Sequence, residues 1–247
     1  MDKLVYIAMS GARENMLSQQ AHANNLANAN TSGFKADLSQ ARAMQVFGEG
    51  FASRVYAQTE RPATDRTAGT FISTERELDI AVDGDGWFAV IGADGNEGYT
   101  RSGELQINAA NELVTGSGLP VMGNGGVPIV IPPFDQIDIG TDGTISIQPQ
   151  GEDAVELLVI DRIKLVTLDP ATSFKGLDGL MHVDANAVQP PDLNLKIRSG
   201  YVETSNVNAV HEMTSIITES RQFEMNIRMM KTAEEVSSAA TSILSLN

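Results

Sequence analysis

Apolar side chains near both ends of the chain recur at alternating steps of four and three residues, the spacing of one face of a packed helix. The N-terminal stripe consists of Val5, Met9, Ala12, Met16, Gln19, Ala23, Leu26 and Asn30. The C-terminal stripe consists of Met213, Ile216, Ser220, Phe223, Ile227 and Met230, and it continues after an extra three-residue step with Ala233, Val236, Ala240 and Ile243. We predict one helix that ends near residues 30–33, where Gly33 can cap it, and a second over residues 208–245, with Asn206 or Asn208 as its N-cap.

The middle of the chain has a different pattern, in which short β-branched runs alternate with turn-forming residues. AVDGDGWFAV and DQIDIGTDGTISIQ are two such stretches, each broken by an Asp-Gly turn. This pattern predicts an all-β domain over residues 76–195, with Trp87 as its single tryptophan. Residues 34–75 and 196–206 show neither period and are predicted to be extended connectors.

Together the patterns predict an α+β chain with a discontinuous, α-helical coiled-coil domain. This domain is formed by residues 1–33 and 207–247 at the two chain termini, and the all-β domain lies between them in sequence. An intramolecular helical hairpin could complete the structure. However, other apolar residues lie off the two stripes: Leu4, Ile7, Leu17 and Ala27 on the first helix, and Ile217, Met225 and Met229 on the second. This wider apolar surface favours packing against further copies, and a head-to-tail contact that does not close generates a helical tube.

The charge distribution narrows the class of partner. The formal net charge is −15, and residues 61–206 hold nine basic and twenty-two acidic side chains, whereas both ends are nearly neutral. Because the chain has no basic stripe, nucleic acid is not an expected partner. The lack of Cys excludes disulfides and thiolate chemistry. The apolar run at residues 4–9 is too short for a signal peptide, so we expect a soluble protein that is exported, if at all, without a cleaved signal.

Candidate chemistry is sparse. His22, His182 and His211 lie in separate segments, so no metal site or catalytic site is predicted from them. The clusters at residues 83–86 and 94–97 could hold calcium, but the order of residues in an EF-hand is absent and tight turns explain both clusters. The glycines of GSGLPVMG at residues 116–123 precede no helix and predict a hairpin corner. We therefore predict no enzyme and no cofactor, while a secreted β-rich binding module or adhesin with calcium-stabilised turns remains an alternative.

Residues 23–35 read ANNLANANTSGFK, which places four asparagines near the end of the first helix. Asn is a poor helix former because its amide competes for backbone hydrogen bonds. A buried amide without partners costs about 1–3 kcal/mol. We therefore expect Asn24, Asn25 and Asn28 to find partners on neighbouring helices and to set the register of an assembly.

The same stretch resembles the N-terminal signature of the bacterial flagellar basal-body rod and hook proteins, which combines Asn-Asn-Leu-Ala-Asn with a following Gly-Phe pair. GYVETSNVNAVHEM at residues 200–213 is similar to the segment that opens the C-terminal helix of that family. Arg221, Phe223 and Glu224 in ESRQFEMN and the stretch RSGELQINAANELVTGSGLPVMG also match. The start and the length of the chain resemble a proximal rod protein.

The resemblance implies an axial structural protein of the flagellar basal body, exported unfolded through the flagellar type III apparatus and assembled in the periplasm. Its partners are then further copies, other rod proteins and the export apparatus. The terminal helices are expected to line the tube, with the β domain outside, in a rod that transmits motor torque. The expected assembly interface consists of Asn24, Asn25, Leu26, Asn28, Asn30, Gly33, Phe34, Met213, Ile216, Phe223, Ile227 and Met230.

Overall fold

The computed structural model describes residues 2–45, 55–59, 63–150, 157–184 and 187–244. Two helices at the ends of the chain and a β-rich region between them confirm the predicted α+β class. The chain divides into two compact units. Unit 1 comprises residues 1–29, 36–65 and 207–247, and unit 2 comprises residues 30–35 and 66–206.

In its described residues, unit 1 contains both helices and four short strands. The helices are α1 (Asp2–Ala27) and α2 (Ala209–Leu244). The strands are β1 (Asp37–Leu38), β2 (Ala41–Gln45), β3 (Val55–Thr59) and β4 (Ala63–Thr64). Strand β1 pairs with β4 and β2 pairs with β3, both antiparallel. The two helices pack against each other, and α1 also contacts β1 and β3. No helix within the described ranges is long and apolar enough to cross a membrane.

The N-terminal stripe is only partly the face that α1 buries. Its positions 5, 12, 19 and 26 are buried or half-buried, whereas positions 9, 16, 23 and 30 are exposed. Ala8, Asn15 and His22 take the alternate places on the buried side. The prediction was wrong at these positions because the buried side of α1 carries the small Ala8 and the polar Asn15 and His22, whereas an apolar pattern selects Met9 and Met16.

The C-terminal stripe is buried along its central part. Positions 216, 220, 223, 227, 230 and 240 are half-buried and position 233 is buried. Met213, Val236 and Ile243 are exposed, with exposed fractions of 52%, 43% and 67%. The predicted stripe was therefore right for the middle of α2 and wrong at three positions towards its ends.

The ends of the helices differ in part from the prediction. Helix α1 ends at Ala27, and the amide of Asn28 donates to the backbone carbonyl oxygens of Asn24 and Asn25, both at 3.1 Å. The Asn28 side chain also donates to the Asn24 carbonyl at 2.9 Å, a local bond that competes with helix propagation. At α2, the Asn208 side chain accepts from two amides of the first turn and is the N-cap.

Unit 2 is built from short strands, mostly joined by tight turns. Their bounds are β5 (Phe71–Ser73), β6 (Ile80–Asp83), β7 (Gly86–Ile91), β8 (Glu97–Thr100), β9 (Leu105–Ile107), β10 (Leu113–Thr115), β11 (Phe134–Ile139), β12 (Thr144–Pro149), β13 (Leu158–Arg162), β14 (Leu165–Thr167), β15 (Ser173–Lys175), β16 (Met181–Val183), β17 (Lys196–Ser199) and β18 (Tyr201–Glu203). A five-stranded sheet has the order β14-β7-β8-β16-β15, and a three-stranded sheet has the order β11-β12-β13. Strand β17 pairs with β6 and β18 with β5, so the chain just before α2 runs beside the start of unit 2.

Strand β7 explains why unit 2 has two apolar clusters. Phe88 and Val90 belong to the larger cluster, whereas Trp87 and Ala89 belong to the smaller one. Successive side chains of a strand point to opposite faces, so the five-stranded sheet is covered on both sides here. This double burial is the reason that GWFAV is continuously apolar, and it places Trp87 in the smaller cluster.

The turns occur where the sequence places them. The glycines of the Asp-Gly turns at positions 84, 95 and 143 have positive φ, a conformation that side chains with a Cβ rarely adopt. GSGLPVMG forms the predicted corner, in which the Gly118 amide donates to the Thr115 carbonyl and the Thr115 amide to that of Leu119.

Ile129 and Val130 test the core of unit 2 with adjacent residues. Ile129 is buried in the larger cluster, and Val130 is exposed. We expect Ile129→Ala to lower the free energy of unfolding by about 2–5 kcal/mol because it leaves a cavity. Val130→Ala is the control and should change it by less than about 0.5 kcal/mol. Urea unfolding followed by Trp87 fluorescence measures both, and equal losses would contradict this description of the core.

Candidate assembly surfaces

Both helices of unit 1 expose large apolar side chains. On α1 these are Leu4, Tyr6, Met9, Met16 and Leu17, and Met16 is 63% exposed. On α2 they are Val210, Met213, Ile217, Met225, Met229, Val236 and Ile243. Surface of this kind along two long helices is typical of proteins that pack against partners. Together these side chains form the candidate assembly surface.

The residues expected at an assembly interface divide into three groups. Asn24, Asn30 and Met213 are exposed. The side chains of Leu26, Asn28, Phe34, Ile216, Phe223, Ile227 and Met230 are half-buried within the single chain. Asn25 and Gly33 are buried. Gly33 and Phe34 belong to unit 2, whereas Leu26 and the residues of α2 belong to unit 1.

Asn25 finds its partners within unit 1. Its Nδ2 donates to the Asp37 carbonyl oxygen at 2.9 Å, and its Oδ1 accepts from the Asp37 amide at 2.8 Å. The amide therefore pairs with both backbone groups of one residue of β1, as a neighbouring strand would. Asn25 fastens the chain after α1 back onto that helix, a role that the expectation of partners on neighbouring helices had missed.

Polar pairs hold α1 against α2. His22 Nδ1 lies 2.5 Å from Glu212 Oε2, and their side chains are 22% and 8% exposed. Glu212 lies in the first turn of α2, where the helix dipole favours a negative charge. With the Asn15 amide oriented to satisfy its neighbours, its nitrogen donates to Glu219 at 3.3 Å and its oxygen accepts from Asn226 at 3.2 Å. The sequence had suggested only an isolated His22, because its partner lies 190 residues away.

Gly33 packs against the backbone of unit 2. Its amide donates to the carbonyl oxygen of Glu203 at 2.8 Å. Its φ is +70°, and a Cβ at this position would lie 2.2 Å from the carbonyl carbon of Arg101. Glycine is therefore required here both for its conformation and for the close approach, rather than as the helix cap that the sequence suggested.

A buried ionic cluster lies beside Gly33. One carboxylate oxygen of Glu203 accepts from Lys35 Nζ at 2.5 Å and from the Gly69 amide at 2.8 Å, and the other accepts from Arg101 at 3.1 Å. The side chain of Glu203 is fully buried, and those of Lys35 and Arg101 are 2% exposed. Burial lowers the pKa of the Arg101 guanidinium, and Glu203 opposes that shift. The sequence shows a lysine after the Gly-Phe pair and a glutamate in GYVETSN, but no motif spacing indicates that these two residues form an ion pair.

Phe34 is held in place by contacts with Lys175 and Asn206. Lys175 Nζ lies 3.8 Å from the centre of the Phe34 ring, which is cation–π geometry. The same Nζ donates to the Lys35 carbonyl oxygen at 2.9 Å. The Asn206 amide donates to the Phe34 carbonyl oxygen at 3.3 Å. Residues 33–35 and 203–206 are therefore fastened together and onto unit 2.

The carboxylates in the turns at residues 83–86 and 94–97 bind groups of the chain itself. Asn96 donates to Asp94 from its side chain and from its backbone amide, and both bonds lower the pKa of that carboxyl. Asp83 pairs with Arg198 at 3.1 Å. Across the described ranges, no group of three His, Cys, Asp or Glu side chains is placed to hold a metal ion.

Asn25 can be tested against its neighbour Asn24. Asn25→Ala removes both bonds to Asp37, so we expect the free energy of unfolding to fall by about 1–3 kcal/mol. Asn24→Ala should change it little, since Asn24 is exposed and Ala is the better helix former. Urea unfolding followed by circular dichroism at 222 nm compares the two variants, and an unchanged Asn25→Ala variant would contradict the fastening role.

Gly33 can be tested against Gly84, which has φ of +86° but no heavy atom within 4 Å of the place that a Cβ would take. Gly84→Ala should cost about 1–2 kcal/mol through backbone strain alone. Gly33→Ala should cost roughly 1–3 kcal/mol more, because its Cβ also collides with the Arg101 backbone. Trp87 fluorescence during urea unfolding measures both, and equal costs would remove the argument from close approach.

Three family profiles match the chain in the order expected for its helices and β region. Residues 5–35 match the flagella basal body rod protein family. Residues 81–147 match the D1 domain of the flagellar hook protein FlgE/F/G family, and residues 198–243 match the C-terminal family of the flagellar basal body rod FlgEFG proteins. The first and last matches include Gly33, Lys35 and Glu203.

Relatives that match over nearly the full length of the chain are also flagellar basal-body rod proteins. The chain is 38% identical over 253 residues to the flagellar basal-body rod protein FlgF of Escherichia coli (strain K12), with all of both chains covered. It is 33% identical over 246 residues to FlgF of Caulobacter vibrioides, covering 97% of each. It is 29% identical over 255 residues to FlgG of Agrobacterium fabrum, covering 94% of this chain and 95% of that protein. The chain belongs to the flagellar basal-body rod protein family, and within it resembles FlgF.

Proposed function

We propose that the chain polymerises through its terminal helices into the hollow axial drive shaft of the proximal rod, which transmits motor torque for swimming. The observation that carries this proposal is the exposed apolar surface of α1 and α2, which the pairing of the two helices leaves uncovered. The membership of the chain in a family of structural rod proteins supports the same role. A secreted calcium-dependent adhesin finds no support in these relatives.

The helical domain and the β domain expected from the sequence have different parts in this proposal. Residues 1–33 and 207–247 form a discontinuous coiled-coil domain that lines the tube, and residues 76–195 form the outer β domain. Residues 34–75 and 196–206 connect them. The large apolar side chains exposed on the helices supply contacts between copies, while the core of unit 2 is closed within one chain. The function is mechanical, so the chain requires no catalytic site, cofactor or substrate.

The partners follow from this role. They are other copies of the chain, other rod proteins and the flagellar type III export apparatus, through which the chain reaches the periplasm. Folding of the ends is coupled to contact with neighbouring subunits, because isolated helices gain much of their stability from packing. The acidic balance of residues 61–206 supports a partner other than nucleic acid.

The asparagines retain separate roles in the assembly proposal. Asn24 and Asn30 are exposed and can reach a neighbouring copy. Asn28 donates to Asn24 at 2.9 Å and orders the end of α1. Asn25 is already paired with Asp37 and acts through the position of the chain after α1. Met213 is exposed for direct contact, while Ile216, Phe223, Ile227 and Met230 support α2 from its half-buried side.

Exposed apolar residues of both helices provide the test. We expect Met16→Gln and Ile217→Gln to abolish or strongly reduce motility and rod assembly, because they make a contact surface polar at positions that are more than half exposed within one chain. Leu177→Gln is the matched control, since Leu177 is a fully exposed apolar residue of unit 2. Soft-agar motility and electron microscopy of isolated basal bodies measure the outcome, and circular dichroism checks that the monomers are folded.

Normal rods from both helix variants would contradict assembly through these faces. A loss of motility in Leu177→Gln equal to that of the helix variants would show instead that any added polar side chain is harmful.

A further inference from the structure

Residues 33–35 occupy a site on unit 2 as a short peptide ligand does. Lys35 reaches into a pocket of polar groups, where its Nζ contacts the Glu203 carboxylate at 2.5 Å and the Thr67 carbonyl oxygen at 2.8 Å. We call the groups of Glu203, Arg101, Gly69 and Thr67 the lysine site. Phe34 lies under Lys175, and Gly33 lies against the Arg101 backbone.

The charges of the lysine site are balanced before Lys35 is counted. Glu203 is paired with Arg101 and also accepts from the Gly69 amide. Arg101 is further bound by the carbonyl oxygen of Gly84 at 2.6 Å and is attracted by Asp85. Lys35 therefore adds a second positive charge to a pair that is already neutral. Desolvation of that charge offsets much of its attraction to Glu203, so its net contribution is small.

The backbone hydrogen bonds near the lysine site can also be separated into those that involve residues 33–35 and those that do not. The Thr204 amide donates to the Thr70 carbonyl oxygen, and β18 pairs with β5, so residues 201–204 are held without residues 33–35. The amides of Gly33 and Asn206 bond across the contact between the two segments, to Glu203 and Phe34 respectively. These last two backbone bonds join residues 33–35 to residues 203–206, while the Asn206 side chain also donates to the Thr67 carbonyl oxygen at 3.3 Å.

We propose that residues 66–206 of unit 2 fold with the lysine site already formed, and that residues 33–35 enter it in a separate and reversible step that fixes the backbone at residue 206. Residue 206 precedes the Asn208 cap of α2 by two positions, and residue 33 follows the end of α1 by six. Docking therefore orders the chain next to both helices at once. The step is a property of the single chain and does not depend on polymerisation.

Hydrogen exchange of the full-length monomer tests this step, with Lys35→Met as the main variant. Met keeps the apolar stem of Lys35 but removes its charge, and it leaves Glu203 paired with Arg101. We expect exchange of the Gly33 and Asn206 amides to become faster by about tenfold or more, because they are released by local opening. Thr204, in the same segment, is the internal control and should change less than about twofold.

Two further variants separate loss of the docked segment from loss of stability throughout unit 2. Phe34→Leu removes the cation–π contact with Lys175 and should speed the same two amides while sparing Thr204. Glu203→Gln leaves two buried cations without an anion, so it should reduce protection throughout unit 2, including the Ala89 amide that donates to Lys164.

Two outcomes would overturn the proposal. One is a Lys35→Met variant in which Thr204 and Ala89 lose as much protection as Gly33, which would make Lys35 part of the cooperative core. The other is an unchanged rate at both Gly33 and Asn206. Neither outcome bears on assembly through the helix faces, which the Met16→Gln and Ile217→Gln variants test in cells.

Discussion

The burial of the Glu203 carboxylate is the constraint on which the path of the chain depends. A fully buried anion must have partners, and it obtains them from Lys35 near the N-terminal end, from Arg101 after β8 and from the Gly69 amide. These groups come from segments far apart in sequence, and the carboxylate holds them at one place. The close approach of Gly33 to Arg101 and the bond from Asn206 to Phe34 are then consequences of the same arrangement.

The residues packed between the helices of unit 1 differ in kind from those in the core of unit 2. Apart from buried polar groups such as the Glu203 cluster, the interior of unit 2 is apolar, with Ile80, Phe88, Leu105 and Ile145 almost without exposed surface. In unit 1, α1 and α2 meet through small residues and polar pairs, such as Ala8, Ala12 and the contact of His22 with Glu212. Polar pairs specify the register of two helices at some cost in stability. A subunit whose helices gain stability from neighbours can accept that cost.

This difference connects the structure to assembly. Large apolar residues such as Met9 and Met16 are left on the surface because the small Ala8 and the polar Asn15 occupy the alternate positions of the buried face. Contacts between copies can therefore use side chains that the folding of one chain does not need. Fold and assembly then place separate demands on the same helix, and substitutions can affect one without the other.

The sequence by itself determined the two helices, the β-rich middle, the tight Asp-Gly turns and the family, because these depend on local periodicity, on turn residues and on contiguous signatures. It placed Val5, Ala12, Gln19 and Leu26 correctly on the buried side of α1, but it also placed Met9 and Met16 there, where the structure has Ala8 and Asn15. Only the tertiary structure shows that Asn15 and His22 lie on this side, since their partners Glu219, Asn226 and Glu212 are on the other helix. The roles of Asn25, Gly33 and Lys35 were also decided there. Each depends on a partner that is distant in sequence, and the pairing of a buried polar group leaves no period in a single sequence.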